Sequence, residues 1–347
     1  LVIGGGPAGS TAASMAARSG LSVKVCERSK FPREHVGESL LPASIAILEE
    51  LGLKEAISNA GFLPKYGATM VWGQDDTPWS WRFSETNKQN IHSYQVSRPI
   101  FDEILLKRSA ELGVLVEEES SVTKILTDDS NRGAVVTNKI GQEYFQPAKF
   151  IVDASGQSAL LARNLNLRQW DENFQNLAVY GYFAGAKKLP VPDENNIFIE
   201  SYENGWVWTI PLNDDITSVG AVVDSNESNA ELRKTDPITF LKDQLSLTNR
   251  TSDMLSEAEL QSDAKILKDW SYTTSKMAGD GWVLAGDAAC FIDPLFSSGV
   301  HLAMMSGVLA SAYAVTYLKD KILGKESASV YETTFRQEYD HFRDLAL

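Results

Sequence analysis

The sequence predicts an α/β protein. A Rossmann-like, doubly wound dinucleotide-binding domain is interrupted by a second domain built on an antiparallel sheet, and a helical region begins at the C-terminal end. Three observations predict it. The chain opens on an apolar strand end that runs into Gly4-x-Gly6-x-x-Gly9. Buried-strand patterns return far downstream, at 150–152 and 281–285, each followed by an acid and a glycine. Between them lies a stretch, 177–223, in which strand and turn signals alternate.

Leu1, Val2 and Ile3 read as the end of a strand buried in a parallel sheet. Gly4 permits a tight turn, Gly6 lets the backbone approach a pyrophosphate, and Gly9 lets helix and strand pack closely. With Pro7 and Ala8 they lead into an Ala- and Ser-rich helix over 10–19, whose N-terminal N–H groups and dipole favour phosphate. A second strand, 22–26, ends at Glu27, about 20 residues on, where such a fold places its acceptor for ribose hydroxyls. A glycine-rich turn and an acid at a strand end are each commonplace; their spacing is what joins them.

A loop over 28–42 holds Gly37-Glu38-Ser39, and helical patterns follow at 43–51 and 53–60. Strands are expected at 66–72 and 79–83, around a polar turn at 74–78. A helix is expected over 98–112, then a β-meander of strands at 114–118, 122–127 and 134–138. Helices are expected at 237–247, at 299–318 and from 327 onward. The apolar stretch at 300–315 contains His301 and Ser311, which favours a buried helix over a membrane span. The dinucleotide domain is then 1–62, 95–165 and 271–320, the sheet domain 63–94 and 166–270, and the helical region starts at 321–347.

At 347 residues with 43% hydrophobic content, the chain suits one large or two ordinary domains around a real core. A net charge of −14 argues against nucleic acid and anionic membranes as partners. The two cysteines, Cys26 and Cys290, read as buried free thiols, which suits a reducing cytoplasm. Four histidines without a Cys/His cluster give no metal site. Because the chain opens inside a strand, residues before Leu1 are expected.

The opening glycines and Glu27, with Asp153-Ala154-Ser155-Gly156 and Gly286-Asp287-Ala288-Ala289, resemble the flavoenzymes of the aromatic-hydroxylase fold over nearly the whole chain. The resemblance implies FAD. It implies that Gly286-Asp287 meets the ribityl and pyrophosphate groups, that Arg98 lies near the cofactor, and that Gly37-Glu38-Ser39 lines the flavin pocket. The expected cofactor-binding residues are therefore Gly4, Gly6, Pro7, Ala8, Gly9, Glu27, Ser39, Arg98 and Asp287. Asp153 and Asp287 each have a plainer alternative as helix N-caps.

Three further stretches narrow the family. Trp206 and Trp208 in Gly205-Trp206-Val207-Trp208-Thr209-Ile210-Pro211 fall on one face of a strand. Lys65 is embedded in Phe62-Leu63-Pro64-Lys65-Tyr66-Gly67, where its ammonium must snorkel out or face a cavity. Asp293-Pro294-Leu295-Phe296-Ser297-Ser298-Gly299-Val300-His301 is a turn entering a helix, suited to an anion or to plain N-capping by Ser297 or Ser298. Together these resemble the flavin-dependent halogenases. The resemblance implies Lys65 as the catalytic residue and a chloride site at Ser298 and Gly299. It implies that Trp206, Trp208, Ile210 and Pro211 wall the flavin compartment from the substrate compartment. Reduced FAD from a separate flavin reductase, dioxygen and chloride or bromide would yield hypohalous acid, which Lys65 hydrogen-bonds or captures as a haloamine. Where halogenases of free tryptophan carry a glutamate, this chain has Phe296. That departure implies an electron-rich phenol or pyrrole of natural-product biosynthesis, free or bound to a peptidyl carrier protein. The alternatives of the same fold are an aromatic monooxygenase and a geranylgeranyl-reductase-like flavoprotein.

Overall fold

The computed structural model describes residues 1–73 and 75–346, so Gln74, the first residue of the expected 74–78 turn, and Leu347 lie outside the described residues. In chain order the elements begin with β1 (Val2–Ile3), α1 (Pro7–Arg18), β2 (Lys24–Cys26), α2 (Ala43–Glu50), α3 (Lys54–Asn59), β3 (Leu63–Lys65), β4 (Gly67–Val71) and β5 (Trp79–Arg82). Next come α4 (Phe83–Thr86), β6 (Ser93–Gln95), α5 (Arg98–Glu111), β7 (Leu115–Glu117), β8 (Ser121–Leu126), β9 (Gly133–Thr137), β10 (Glu143–Pro147), β11 (Ile151–Asp153) and α6 (Leu160–Asn164). The long strands β12 (Arg168–Ala184), β13 (Ile197–Tyr202), β14 (Gly205–Pro211) and β15 (Ile216–Asp224) precede α7 (Ser225–Leu232), α8 (Pro237–Ser246) and α9 (Arg250–Met254). The chain closes with β16 (Glu259–Leu260), β17 (Lys265–Thr274), β18 (Ala278–Gly279), β19 (Trp282–Leu284), α10 (Gly299–Lys319) and α11 (Lys321–Ala346).

A six-stranded sheet runs in the order β18-β19-β11-β1-β2-β7 and is parallel apart from the β18–β19 pair. Its central strands are apolar on both faces, as a covered parallel sheet requires. One core joins Val25, Ile151 and Val283 of this sheet to Ala12 and Ala13 of α1, Ala310 and Tyr313 of α10, and Tyr331 and Phe335 of α11. The small residues let α1 and α10 meet closely: a Cβ on Gly307 would lie 2.6 Å from the Ala8 carbonyl oxygen. Helix α10 has the length and apolar character to cross a membrane, yet 61% of its most apolar window is buried inside the protein.

An eight-stranded sheet holds β16-β12-β15-β14-β13-β4-β5 in order, with β17 also on β12. It is antiparallel except where β13 lies parallel to β4. The expected meander differs in membership. The strand after α5 joins the parallel sheet beside β2, because a βα crossover returns the chain to that sheet. The meander is β8-β9-β10 instead. Cys26 and Cys290 are both buried and free.

Candidate functional site

A cavity of about 730 Å³ opens where the carboxyl ends of β1, β2 and β11 face β14 of the second sheet, within the range of small-molecule and cofactor sites. Gly4, Gly6, Pro7, Ala8 and Glu27 line one part of it, Arg33, Glu38, Ser39 and Arg98 another. Trp206, Trp208 and Ile210 line a third, with Asp287, Ser297 and Gly299 beside them. Gly9, Lys65, Pro211 and Ser298 do not line it.

The turn is built as its spacing demands. Gly4 has φ +98°, and a Cβ there would lie 2.3 Å from the Ala154 carbonyl oxygen. A Cβ on Gly9 would lie 1.9 Å from the Gly4 carbonyl oxygen, so Gly9 seats α1 against β1 and leaves the ligand face to Gly6, Pro7 and Ala8. Glu27 is buried, and its carboxylate accepts from the Gly5 N–H at 2.6 Å and the Ser29 N–H at 2.7 Å. Each oxygen keeps a further lone pair for a ribose hydroxyl.

Among the lining residues that sequence reasoning missed is Arg33; Glu38 was expected only as part of the Gly37-Glu38-Ser39 loop, with no role of its own. A Cβ on Gly6 would meet Arg33 Nη2 at 3.1 Å, so a guanidinium stands against the phosphate-facing glycine. Asp102 anchors both arginines: Arg33 Nη1 lies 3.2 Å from its Oδ2, and Arg98 forks onto it at 2.8 and 2.9 Å. Arg98 also donates to the Val36 and Gly37 carbonyls, tying the 28–42 loop to the start of α5. Glu38 is 2% exposed, accepts from the Tyr182 hydroxyl at 2.9 Å, and has no partner for Oε2. Burial pushes its carboxyl up to about 7 against the pull of its hydrogen bonds and of Arg98. The Gly37-Glu38-Ser39 motif pointed to the loop; the Phe31-Pro32-Arg33 stretch before it carried no signal by itself.

The two strand-end acids diverge. Asp153 is consumed by backbone, accepting from the Ser155 N–H at 3.0 Å and the Leu161 N–H at 2.7 Å, while Ser155 and Ala159 hold the N-cap positions that follow. Asp287 lines the cavity, and burial raises its carboxyl to about 6 against the opposing charge of Arg98. The 293–299 turn reaches α10 through Ser297 at φ +56°. Ser298 occupies the N-cap position without a side-chain cap bond, so capping by its hydroxyl is not realised. Gly299, the first residue of α10, lines the cavity and has no atom within 4 Å of a would-be Cβ. Asp293 accepts from Asn176 at 2.9 Å and from the Leu295 N–H at 3.1 Å, locking this turn to β12. Trp206 and Trp208 face each other with ring centroids 6.1 Å apart, and the Trp208 indole donates to Ser218 at 3.2 Å. Pro211 ends β14 away from the cavity.

Lys65 ends β3 and is 1% exposed. Its amine donates to the Leu40 carbonyl at 3.2 Å and stands 5.3 Å from the Phe83 ring centroid. Burial alone drives its ammonium down to about 7. The amine is thus turned inward, one residue along the chain from cavity-lining Ser39 through the Leu40 carbonyl.

These features fit a dinucleotide cofactor: a glycine cradle at a helix N-terminus, two anchored guanidiniums, ribose-competent Glu27, and an unpartnered carboxylate oxygen on Glu38 at the far end. Among the described residues there is no cluster of ligands that could hold a metal ion.

A family model described as tryptophan halogenase matches residues 1–93 and 86–347. The chain is 37% identical over 352 residues to a tryptophan 2-halogenase of Chondromyces crocatus, covering 100% of this chain and 66% of that protein. It therefore spans just under two thirds of that relative's length. It is 35% identical over 364 residues to the 1H-pyrrole-2-carbonyl-[peptidyl-carrier protein] chlorinase of Pseudomonas fluorescens Pf-5, covering 97% and 80% of the two chains. The structure of the myxobacterial chondrochloren halogenase CndH superposes with a TM-score of 0.94 at 38% identity, over 99% of this chain and 80% of that one. A cavity shaped for a dinucleotide, a buried amine beyond it, and likeness of this extent converge: the chain belongs to the tryptophan halogenase family of FAD-dependent halogenases.

Proposed function

We propose that this chain forms the FAD-binding and halogenating body of an enzyme that places chlorine or bromine on an electron-rich phenol or pyrrole. The observation that carries the reading is Lys65, a buried amine held at about 7 by desolvation and bonded by the Leu40 carbonyl. A lysine with that value is partly neutral near neutral pH, and a neutral amine is nucleophilic.

Bound in the cavity, reduced FAD with dioxygen supplies the oxidising equivalents that convert halide to hypohalous acid. Gly4, Gly6, Pro7, Ala8 and Glu27, with Ser39, Arg98 and Asp287, hold the cofactor, and Gly9 shapes the turn that presents them. Amides at Ser298 and Gly299 hold halide at the first turn of α10, where the side-chain cap is missing. Trp206, Trp208 and Ile210 wall this chamber, and Pro211 ends their strand outside it. Lys65 then acts in one of two balanced ways. It donates a hydrogen bond to hypohalous acid, which exchanges its halogen for a ring proton and leaves water. Alternatively the amine takes the halogen with release of water, and the ring displaces the amine, giving up its proton. The side chains confine and orient the electrophile, and the bound flavin would supply the oxidising power that makes it.

The residues expected to form the flavin side are 1–62, 95–165 and 271–320, with 63–94 and 166–270 on the substrate side and 321–347 opening a helical region. Phe296 in place of an acid near the halide turn supports a ring activated by its own OH or NH. The carrier-protein chlorinase among the relatives supports a pyrrole presented on a peptidyl carrier protein, and a separate flavin reductase in the cytoplasm supplies the reduced cofactor. Lys65→Ala should bind FAD and consume dioxygen when given reduced flavin, yet yield no halogenated phenol or pyrrole by mass spectrometry. Halogenation equal to wild type would remove Lys65 from the mechanism. A hydroxylated product formed equally well without halide would place the chain among the aromatic monooxygenases.

A further inference from the structure

The strands beside Lys65 carry polar side chains that the mechanism above does not use. Strand β6 is the middle of three segments. On one side it pairs antiparallel with β3, setting Lys65 opposite Ser93 and Leu63 opposite Gln95. On the other, Gln95 forms an antiparallel bridge with Ser39. That bridge is flanked by the Leu40 N–H on the Tyr94 carbonyl at 3.0 Å and the Val96 N–H on the Glu38 carbonyl at 2.7 Å. Directly opposed residues, and residues two apart on a strand, share one face. Lys65, Ser93, Gln95 and Ser39 therefore stand on the same face. Ser39 and Gln95 form the non-hydrogen-bonded kind of pair, in which facing side chains come closest. To reach the Leu40 carbonyl on the third segment, the Lys65 side chain crosses β6 over the Ser93 position.

All four residues are buried, at 1%, 0%, 0% and 4% exposure in that order. Ser93 Oγ, Gln95 Oε1 and Ser39 Oγ have no hydrogen-bond partner. The Gln95 amide nitrogen donates to the Asn195 carbonyl at 3.0 Å, which fixes the carbonyl end as the free one. Buried polar groups in folded proteins are almost always paired, so three unpaired groups on one face beside a buried amine call for a role. Ser39 lines the flavin cavity and Lys65 does not, so the row runs from the cavity to the amine.

We propose that Ser39, Gln95 and Ser93 form a polar strip from the cavity to Lys65, and that Ser93 is a positioning residue whose hydroxyl, unpaired in the rotamer seen here, turns to accept a hydrogen bond from the Lys65 amine. This rests on Lys65 being the reactive amine. An ammonium has three donors and the Leu40 carbonyl takes one. Ser93 Oγ is an acceptor on the face the side chain crosses. No charge competes with it: Tyr66, His92 and Tyr94 beside β3 and β6, Glu38 in the loop and the Phe83 ring contribute no charge shift at Lys65, where burial is the sole cause.

The test reads Lys65 directly in the purified, FAD-free full chain, by reductive methylation with formaldehyde over a pH series and mass spectrometry of its peptide. The wild-type midpoint is expected near 7. A hydroxyl that accepts from the ammonium favours the charged form, so Ser93→Ala should lower the midpoint by about one pH unit. Ser93→Thr, which keeps the hydroxyl, should restore it. The thermal midpoint of Ser93→Ala should fall below that of wild type and be restored in Ser93→Thr, since the buried amine loses an acceptor. Should Ala disturb folding, Ser93→Cys keeps the volume, weakens the acceptor and reads the same way. In the flavin-loaded enzyme the pH profile of kcat should move in the same direction with the halide KM unchanged. A wild-type midpoint and profile in Ser93→Ala, with Lys65→Ala inactive, overturns the strip and leaves the lysine assignment standing. Wild-type halogenation by Lys65→Ala overturns that assignment, while the methylation midpoint still decides the hydrogen bond.

Discussion

Lys65 is held in the fold against its own preference for charge. Its ammonium is driven from 10.5 to about 7 by burial, so between those values the unfolded chain binds more protons than the native one. The contribution of Lys65 to stability therefore rises with pH across that window. Lys65→Met fills the same volume without the charge. It should be more stable than wild type below about pH 7, by on the order of a few kcal/mol, with the gain fading toward 10.5. Urea unfolding at a series of pH values reads this, and parallel stability curves for the two proteins would mean the amine is solvated. The apolar setting of Lys65 was legible because Phe62, Leu63 and Pro64 precede it, but that setting left its ammonium either to snorkel out or to face a cavity. The burial of Glu38 was not legible, because its partner Tyr182 lies 144 residues away and no local pattern marks a carboxylate for burial.

At the scale of elements, the two ends of the cofactor cradle respond oppositely to a methyl group. Gly9→Ala sets a Cβ 1.9 Å from the Gly4 carbonyl oxygen, which is backbone and cannot swing aside. It should destabilise the protein by about 1–3 kcal/mol and weaken FAD binding, measured by thermal melting and flavin titration. Gly299→Ala meets no atom within 4 Å and sits in helical backbone, so folding should be unchanged or improved by up to about 1 kcal/mol. The methyl crowds the amides at the start of α10, so the halide KM should rise. An unaltered KM would move the halide elsewhere. The β1–turn–α1 unit was readable because glycine spacing is a local signal. Strand pairing is not local: β7 was placed in the meander although it lies beside β2, and β17, paired over nine positions with β12, went unseen.

For the whole molecule, the cavity is walled by both sheets, so cofactor binding should couple their unfolding. In a Trp282→Phe variant, which removes the tryptophan of β19, indoles such as Trp81, Trp206 and Trp208 report the eight-stranded sheet, whereas helices α1, α5 and α10 surround the parallel one. At a hundredfold excess over its dissociation constant, FAD should stabilise the native state by about 2.7 kcal/mol. The midpoints by tryptophan fluorescence and by helical circular dichroism should then rise together. A rise in the helical signal alone would mean that one sheet holds the cofactor by itself. The discontinuous parallel sheet was foreseeable, since 150–152 and 281–285 repeat the apolar strand pattern of the opening residues. The parallel pairing of β13 with β4 was not, since a short edge hairpin in a stretch of alternating strands carries no mark of its direction.

Cys26 and Cys290 gain a meaning from the chemistry next to them. Hypohalous acid attacks sulfur faster when the sulfur is an anion. Both cysteines are buried, and burial holds them in the protonated form: Cys26, which lines the cavity, at about 11, and Cys290, which does not line it, well above its ordinary value. On the proposed chemistry, the thiol nearest the reagent, Cys26, meets it in the protonated, slow-reacting form, so the working lifetime should be set by leakage of that reagent into solution rather than by scorching from within.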